Sequence, residues 1–432
     1  MKEIVILGGG FAGAATARSL ERRVGEGEAR ITLVSRENFT LFTPLLPEVC
    51  SGGIETRHVV TPLRAQLKRT RFVLGEIGSI DLNARSVEVH HAITASRIML
   101  AYDHLVIALG SVTSTFGLPG VAEHSLPLKT LEDAETLRNH IIATLEQADV
   151  EPDPARRKRL LTYIVVGGGY TGCEATGELA DLLSDIGRFY RNVTREDISI
   201  VLLEAGKALL ADLPLQMGRY TAKHLTRRGV DVRVGDGVAS LDADEIVLTS
   251  GVRIRSASVI WSAGIRPAPI IRDLPLEHAR NGGIVVERDM SVPGRPGLWA
   301  IGDSAWIPRA KKGGWYPPTA QHAIREGPVL AANIVASMRG ERTKPFRYRS
   351  LGTMASLGAR RGVAALPGGM ILTGFGAWLL WRSYYLSRLP GLDRKVRVAL
   401  DWTLGLVFPR DIAEFRVYSD RSATSSPTQP KS

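Results

Sequence analysis

The sequence predicts an α/β chain, and three stretches carry that reading. Ile4-Val5-Ile6-Leu7 is a short apolar run that enters Gly8-Gly9-Gly10-Phe11-Ala12-Gly13 and then the small, helix-compatible Ala14 to Ala17. Tyr163-Ile164-Val165-Val166 enters Gly167-Gly168-Gly169-Tyr170-Thr171-Gly172 in the same order. Leu298-Trp299-Ala300-Ile301 ends on Gly302-Asp303, ahead of a Pro/Gly-rich loop and a helix opening near Thr319-Ala320-Gln321. Apolar strands that stop on glycine and turn into helices belong to parallel sheets covered by helices. A strand ending on Gly-Asp sets a carboxylate at the C-terminal edge of such a sheet, where open α/β sheets bind their ligands.

Composition bounds the rest. At 432 residues and 44% hydrophobic, the chain is long enough for two or three domains with their own cores. The net charge of +11 directs attention to anionic partners: a phosphorylated ligand, anionic lipid or nucleic acid. Cys50 and Cys173 lie far apart and supply neither a disulfide framework nor a metal-ligand spacing, so a reducing compartment is expected and no metal. The apolar strand begins almost at once, without a basic segment and hydrophobic stretch before it, so no signal peptide is expected. Val363 to Trp381 is uncharged, but Pro367 and the glycines 368, 369, 374 and 376 break it into a strand, a turn and a short helix. A membrane span wants about 20 predominantly apolar residues.

In the first glycine motif, Gly8 suits a tight turn, Gly10 the close approach of a pyrophosphate, and Gly13 close packing of helix on strand, with Phe11 and Ala12 in the same turn. The second strand, Ile31 to Val34, should end on an acid for a ribose hydroxyl but ends on Ser35, followed by Arg36 and Glu37. Ser35 can still hydrogen-bond a hydroxyl; Arg36 either stacks on an adenine or is solvated. The Pro-stiffened loop Phe39 to Pro47 either lines a ligand or caps a core. The run His104 to Ile107, stopping on Ala108-Leu109-Gly110, returns to the first sheet, with His104 a satisfied strand-end histidine. A helix is predicted from Leu131 to Gln147, then a breaker at Glu151 to Pro154, and Arg156 to Arg159 reads as the solvated lip of the next strand.

Two dinucleotide units in one chain suggest that a flavin and a nicotinamide meet, because hydride transfer needs both rings in contact. The strand Ile198 to Leu203 ends on Glu204, an acid suited to a ribose 2′-hydroxyl, which favours NADH over NADPH. Glu174 falls in the first turn of the second helix, where it either favours the helix dipole or stands near the nicotinamide. Val259 to Pro267, with Ala263 and Gly264 at its small-residue end, closes the second unit. The expected organisation is a discontinuous first domain over residues 1–112 and 286–345, an inserted second domain over 113–285, a C-terminal region over 346–421 and a disordered tail over 422–432.

Together the two fingerprints, Trp299-Ala300-Ile301-Gly302-Asp303, Pro317-Pro318-Thr319-Ala320-Gln321 and an aromatic, basic C-terminus resemble the type II NADH dehydrogenases, over about residues 2 to 417. The resemblance implies two Rossmann-like domains, FAD and NADH as cofactors, hydride transfer to FAD and two electrons onward to a membrane quinone without proton pumping. It places Gly8, Gly10 and Gly13 on the FAD pyrophosphate and Asp303 on a ribityl hydroxyl. It places Gly167, Gly169, Gly172 and Glu204 on NADH, Glu174 near nicotinamide and flavin, and Gln321 at the quinone end. Phe11, Ala12, Ser35, Arg36, Ala108, Gly110 and Ala320 complete the expected FAD contacts, and Tyr170, Thr171, Ala263 and Gly264 those of NADH. The family's second glutamine is replaced by Arg325, beside His322 and Glu326. Arg325 either stabilises developing quinolate charge or pairs with a helix neighbour; Glu174, His322 or a water chain are the proton donors to consider.

Phe375 to Leu386 and Arg397 to Phe408 place aromatic, apolar and basic residues at helical spacing, which suits helices lying on an anionic lipid surface. A peripheral position on the cytoplasmic side of the membrane and a homodimer follow from the resemblance, and no nucleic-acid partner is expected. The alternatives are a flavoprotein reductase with another acceptor, of the ferredoxin, rubredoxin or sulfide:quinone type, and a non-enzymatic NADH sensor.

Overall fold

The computed structural model describes residues 1–91, 93–94, 96–309 and 313–415. Two five-stranded parallel sheets organise it. The first has the order Leu298–Ala300, His104–Ile107, Lys2–Leu7, Ala29–Ser35, Arg71–Leu74. The second has the order Leu126–Pro127, Ser258–Trp261, Thr162–Val166, Ser199–Glu204, Val230–Val234. In each sheet the strand that enters a glycine turn is the middle one. Neighbours are added on both of its sides, so a crevice opens at its C-terminal end. These middle strands are covered on both faces, which is why they read as unbroken apolar runs instead of alternating ones: Ile4 to Leu7 and Tyr163 to Val165 are all buried.

An antiparallel ribbon, Ser111–Thr113 with Ile265–Pro267, ties the two halves together. The chain then adds a three-stranded antiparallel sheet, Thr353–Ser356, Gly362–Ala365 and Ile371–Gly374, and two helices, Phe375–Arg388 and Leu392–Leu404. The described part of this C-terminal region shares its core with the second sheet. Trp381, Leu389, Val398 and Trp402 join the core under the second sheet, together with Phe42 to Ile54 from the first half.

Several elements differ from expectation. Arg156 to Arg159 form part of a helix, Pro154–Leu160, because Asp153 caps it by accepting from the Arg156 N–H at 2.8 Å. Trp378 and Trp381 do not lie at a surface; both are buried, since the first C-terminal helix packs on the three-stranded sheet. The second helix begins at Leu392, five residues before the predicted Arg397. No helix among the described residues is long and apolar enough to cross a membrane. The tail expected at 422–432 and the last residues of the C-terminal region lie outside the described residues.

The two glycine turns share one packing rule. A Cβ on Gly13 would stand 1.9 Å from the Gly8 carbonyl oxygen, and one on Gly172 would stand 1.7 Å from that of Gly167, so helix and strand meet with no room for a methyl group. At Gly10 and Gly169 a Cβ would meet nothing within 4 Å. Gly172→Ala is therefore expected to cost about 1–3 kcal/mol of stability, by overpacking. Gly169→Ala should leave the melting temperature unchanged and weaken only what the turn binds. Thermal melts of the two variants, with and without dinucleotide, check this.

Candidate active site

A cleft of about 2450 Å³ runs along the C-terminal ends of the strands between the two halves. Single ligand pockets are typically about 300–1,000 Å³, so this one has room for more than one ligand. Gly8, Gly10, Phe11 and Ala12 form one end of its floor, and Gly13 sits beneath them in the helix. Gly10 N–H and its neighbours stand at the start of the Phe11–Glu21 helix, where backbone donors and the helix dipole favour a phosphate. With open space above Gly10 and close backbone below Gly13, the turn fits a pyrophosphate. Ser35 and Arg36 line the same end. Arg36 is exposed and pairs with Glu37 at 3.5 Å. The Phe39 to Pro47 loop does line the cleft, through Phe39, Leu41, Thr43 and Pro44 among others.

Further along, Ala108, Gly110, Asp303, Ala320 and Gln321 line the cleft. Asp303 follows the first-sheet strand in the short helical turn Gly302–Ser304. Ser304 Oγ accepts from Gly110 N–H at 3.0 Å, and Ser111 Oγ donates to Asp303 Oδ2, so the ends of two adjacent strands are stitched together. Beneath the turn, the buried Glu326 accepts from Gly302 N–H at 2.7 Å. Burial, reinforced by the nearby Asp303 charge, pushes its carboxyl up to about 7 in spite of that hydrogen bond.

From the second half, Tyr170, Thr171 and Gly264 line the same cleft, whereas Gly167, Gly169, Gly172, Ala263 and Glu204 are not among its lining residues. Glu204 is bound by the turn: it accepts from Gly168 N–H at 2.6 Å and from Gly206 N–H at 2.5 Å. That places a carboxylate beside the second glycine turn, across an intervening 17-residue helix.

Gln321 and Arg325 part company. The Gln321 amide oxygen accepts from the Tyr348 hydroxyl at 2.9 Å and its nitrogen donates to Gly352 carbonyl at 3.2 Å, leaving one N–H toward the cleft. Arg325 is not among the cleft-lining residues. Its guanidinium donates to the Gln321 carbonyl at 2.7 Å and lies over the Tyr348 ring at 4.5 Å. It braces Gln321, one turn earlier on its own helix, and Tyr348. His322 hydrogen-bonds Thr319 at 2.7 Å, and burial, with Arg309 and Arg325 nearby, lowers its pKa to about 4. It is neutral at physiological pH and lacks the acidic imidazolium proton.

Glu174 lines the cleft and is otherwise buried. One carboxylate oxygen accepts from Ser356 N–H at 3.0 Å and from the Trp381 indole at 2.9 Å, so the dipole-facing surface acid is not what the fold makes of it. Burial pushes its pKa up to about 8 against those two hydrogen bonds, with Glu48 and Glu178 adding to the rise. Glu48 is buried too, accepting from the Trp402 indole at 2.6 Å and from Arg382, whose guanidinium lies between the Trp378 and Trp402 rings at 4.4 and 4.5 Å. Glu178 accepts from Arg410 at 2.8 Å and from Ser51 at 2.9 Å. An aromatic series, Phe11 to Phe42 at 5.9 Å, Phe42 to Tyr385 at 6.0 Å and Tyr385 to Trp381 at 4.9 Å, joins the first glycine turn to the C-terminal helix.

The residues that sequence reasoning missed are Lys129, Glu48, Tyr348 and Tyr385. For Lys129 the local pattern fixed only its backbone: Thr130 and Asp133 form a reciprocal cap that marks the start of the Leu131–Val150 helix. The partners of Glu48 and the Phe42 partner of Tyr385 lie more than three hundred residues away, and Tyr348 meets Gln321 across 27 residues, so no local pattern announces them. Cys50 and Cys173 are free, buried and absent from the cleft lining. Burial raises both thiols, Cys50 to about 12, so neither is a reactive thiolate.

Comparison with known proteins agrees with this geometry. The pyridine nucleotide-disulphide oxidoreductase model matches residues 2–327, and the NDH2 C-terminal domain model matches residues 350–411. The chain is 33% identical over 422 residues to the type II NADH:quinone oxidoreductase Ndh of Mycobacterium tuberculosis, covering 94% of this chain and 88% of that one. It is 32% identical over 422 residues to a probable NADH dehydrogenase of Dictyostelium discoideum, covering 96% and 91%. The fold matches that of Plasmodium falciparum NDH2 in complex with NADH with a TM-score of 0.87 at 22% identity, over 95% of this chain and 99% of that one. A sulfide:quinone oxidoreductase of Aquifex aeolicus shares the fold at a TM-score of 0.69 and 20% identity, with 92% of each chain covered.

The buried Glu174 makes stability depend on pH. The folded protein holds this proton up to about pH 8, whereas the unfolded chain releases it near the ordinary 4.5, so stability is lost as pH rises between those values. Glu174→Gln should flatten that loss by about one proton, leaving the part due to Glu178 and Glu326; melting temperature measured from pH 5 to 9 reads it.

Proposed function

The chain belongs to the pyridine nucleotide-disulphide oxidoreductases and ends in an NDH2 C-terminal domain, and from that premise we propose that it is a type II NADH:quinone oxidoreductase. It takes a hydride from NADH onto FAD and passes two electrons to a membrane quinone, without pumping protons. The observation that carries this reading is one cleft lined by the first glycine turn, by Tyr170 and Thr171 at the start of the second turn's helix, by Glu174 and by Tyr385 of the first C-terminal helix, with both turns built on the same close contact of helix and strand.

FAD supplies the hydride and electron chemistry. The chain's own residues divide the remaining work. Gly8, Gly10, Phe11, Ala12 and Gly13 take the FAD pyrophosphate, Ser35 and Arg36 its adenosine, and Asp303 a ribityl hydroxyl. Ala108, Gly110, Ala320 and Gln321 border the ring. Gly167, Gly169, Tyr170, Thr171, Gly172, Ala263 and Gly264 take NADH. Glu204 holds its ribose 2′-hydroxyl, and its charge repels a 2′-phosphate, which sets the preference for NADH over NADPH. Quinone reduction consumes protons as well as electrons, and Glu174, still protonated at neutral pH at the cleft wall, is positioned to give one. Arg325 serves through Gln321 and Tyr348.

The membrane is met by the second C-terminal helix. Leu392, Val396, Leu400 and Leu404 are spaced by four and are all at least half exposed, while Val398 and Trp402 face the body. Leu406, Val407 and Phe408 extend this apolar stripe, and Arg388 and Arg397 flank it. An exposed apolar stripe edged by cations suits a helix seated in the headgroups of anionic lipid. The homodimer and the cytoplasmic side of the membrane rest on the family resemblance.

Stopped-flow absorbance tests the activity: NADH bleaches the flavin fast and NADPH slowly, and quinone analogues restore it. A flavin that NADH reduces but no quinone reoxidises would overturn the assignment. Glu204→Ala is expected to narrow the preference for NADH about tenfold, the scale of one lost charged hydrogen bond. Leu400→Glu with Leu404→Glu should reduce co-flotation with anionic vesicles by about tenfold or more, with the flavin spectrum as the folding control.

A further inference from the structure

Lys129 comes from the second half of the molecule, in the turn between the Leu126–Pro127 strand and the Leu131–Val150 helix, yet its side chain reaches the first half. Nζ donates to Ser111 Oγ at 2.8 Å and stands 3.8 Å from Asp303 Oδ2, and all three residues line the cleft. Its backbone is held in place: Asp133 accepts from the N–H of Lys129 at 2.9 Å and of Thr130 at 2.7 Å, while Thr130 Oγ accepts from Asp133 N–H at 3.1 Å. A lysine on a flexible stem is thus aimed by a rigid helix cap. The ammonium is about one-third exposed and the Asp303 carboxylate less than one-fifth, so the pair is sheltered without being sealed.

We infer that Lys129 is a positioning residue for the flavin: with Ser111 it holds the Asp303 carboxylate toward the cleft, and so couples the NADH-binding half to retention of FAD. This rests on the reading of Asp303 as the ribityl ligand. The carboxylate has four lone-pair directions; Ser111 and Lys129 use the Oδ2 side and leave Oδ1 to accept from a hydroxyl. The same contact bridges the two halves a second time, alongside the Ser111–Thr113 ribbon. Relative motion of the halves would therefore be felt at Asp303.

The test uses purified holoenzyme and follows FAD release on dilution by flavin fluorescence, for Lys129→Met, Lys129→Arg, Asp303→Asn and the Lys129→Met/Asp303→Asn pair, with melting temperature as the folding control. Lys129→Met is expected to raise the fraction of flavin released about tenfold, the scale of one charge-assisted hydrogen bond, and Lys129→Arg to restore most of it. In the Asp303→Asn background the Lys129→Met change should add little, because the two act as a unit. If Asp303→Asn releases flavin and Lys129→Met does not, the positioning role is overturned while the ribityl reading stands. If Asp303→Asn leaves retention unchanged, the ribityl reading falls and takes this inference with it. Equal effects of Lys129→Met in both backgrounds would also overturn it, since Lys129 would then act independently of Asp303.

Discussion

Helix and strand at each glycine turn approach until a carbonyl oxygen lies where a side chain would begin, and much else in the molecule follows from that spacing. With Gly13 against Gly8 and Gly172 against Gly167, each helix N-terminus is brought down to the edge of its sheet with its free backbone donors there. The open space at Gly10 and Gly169 is the complement of that contact. The positions of Phe11, Tyr170 and Thr171 at the cleft, and of Glu174 one turn further, are then consequences of helical geometry. Few residues away from the turns could be moved without moving these.

The C-terminal region turns this two-domain body into one with a closed end. It contributes Trp381 and Ser356 to Glu174, Trp402 and Arg382 to Glu48, and Arg410 to Glu178. Three buried carboxylates would each oppose folding if left unpaired, and each is answered by donors from the region that follows residue 350. This dependence explains why the region shares a core with the second sheet instead of folding beside it. Burial holds the Glu174 pKa up to about 8, against the Ser356 and Trp381 hydrogen bonds that favour its charged form.

The Arg325-Glu326 pair shows how one sequence departure divides into two structural jobs. Neighbouring residues on a helix point in different directions. Arg325 turns outward onto Tyr348, where it steadies the hydrogen bond to Gln321, and Glu326 turns inward under Gly302. Both therefore act on residues already placed in the cleft, Gln321 and Asp303, and neither lines it. A reading from spacing alone puts Arg325 at the acceptor because it knows the turn of the helix but not the position of Tyr348.

By itself the sequence determined the α/β class, the two glycine turns, the Gly302-Asp303 strand end, Glu204 and the helical C-terminus. All of these are local: a tight turn, a close approach or an apolar period is written into a few consecutive residues. Tertiary structure alone decided that Lys129 meets Asp303, that Trp378 and Trp381 face inward while Leu392 to Leu404 present the apolar stripe, and that Glu174 is buried, protonated and gripped by Trp381. Each of these depends on distances between segments far apart in the chain. Glu174 and Trp381 are separated by 207 residues, and Lys129 and Ser111 belong to different halves. Burial, and with it the cost of charge, is a property of the assembled neighbours and has no signature in the residue or its immediate context.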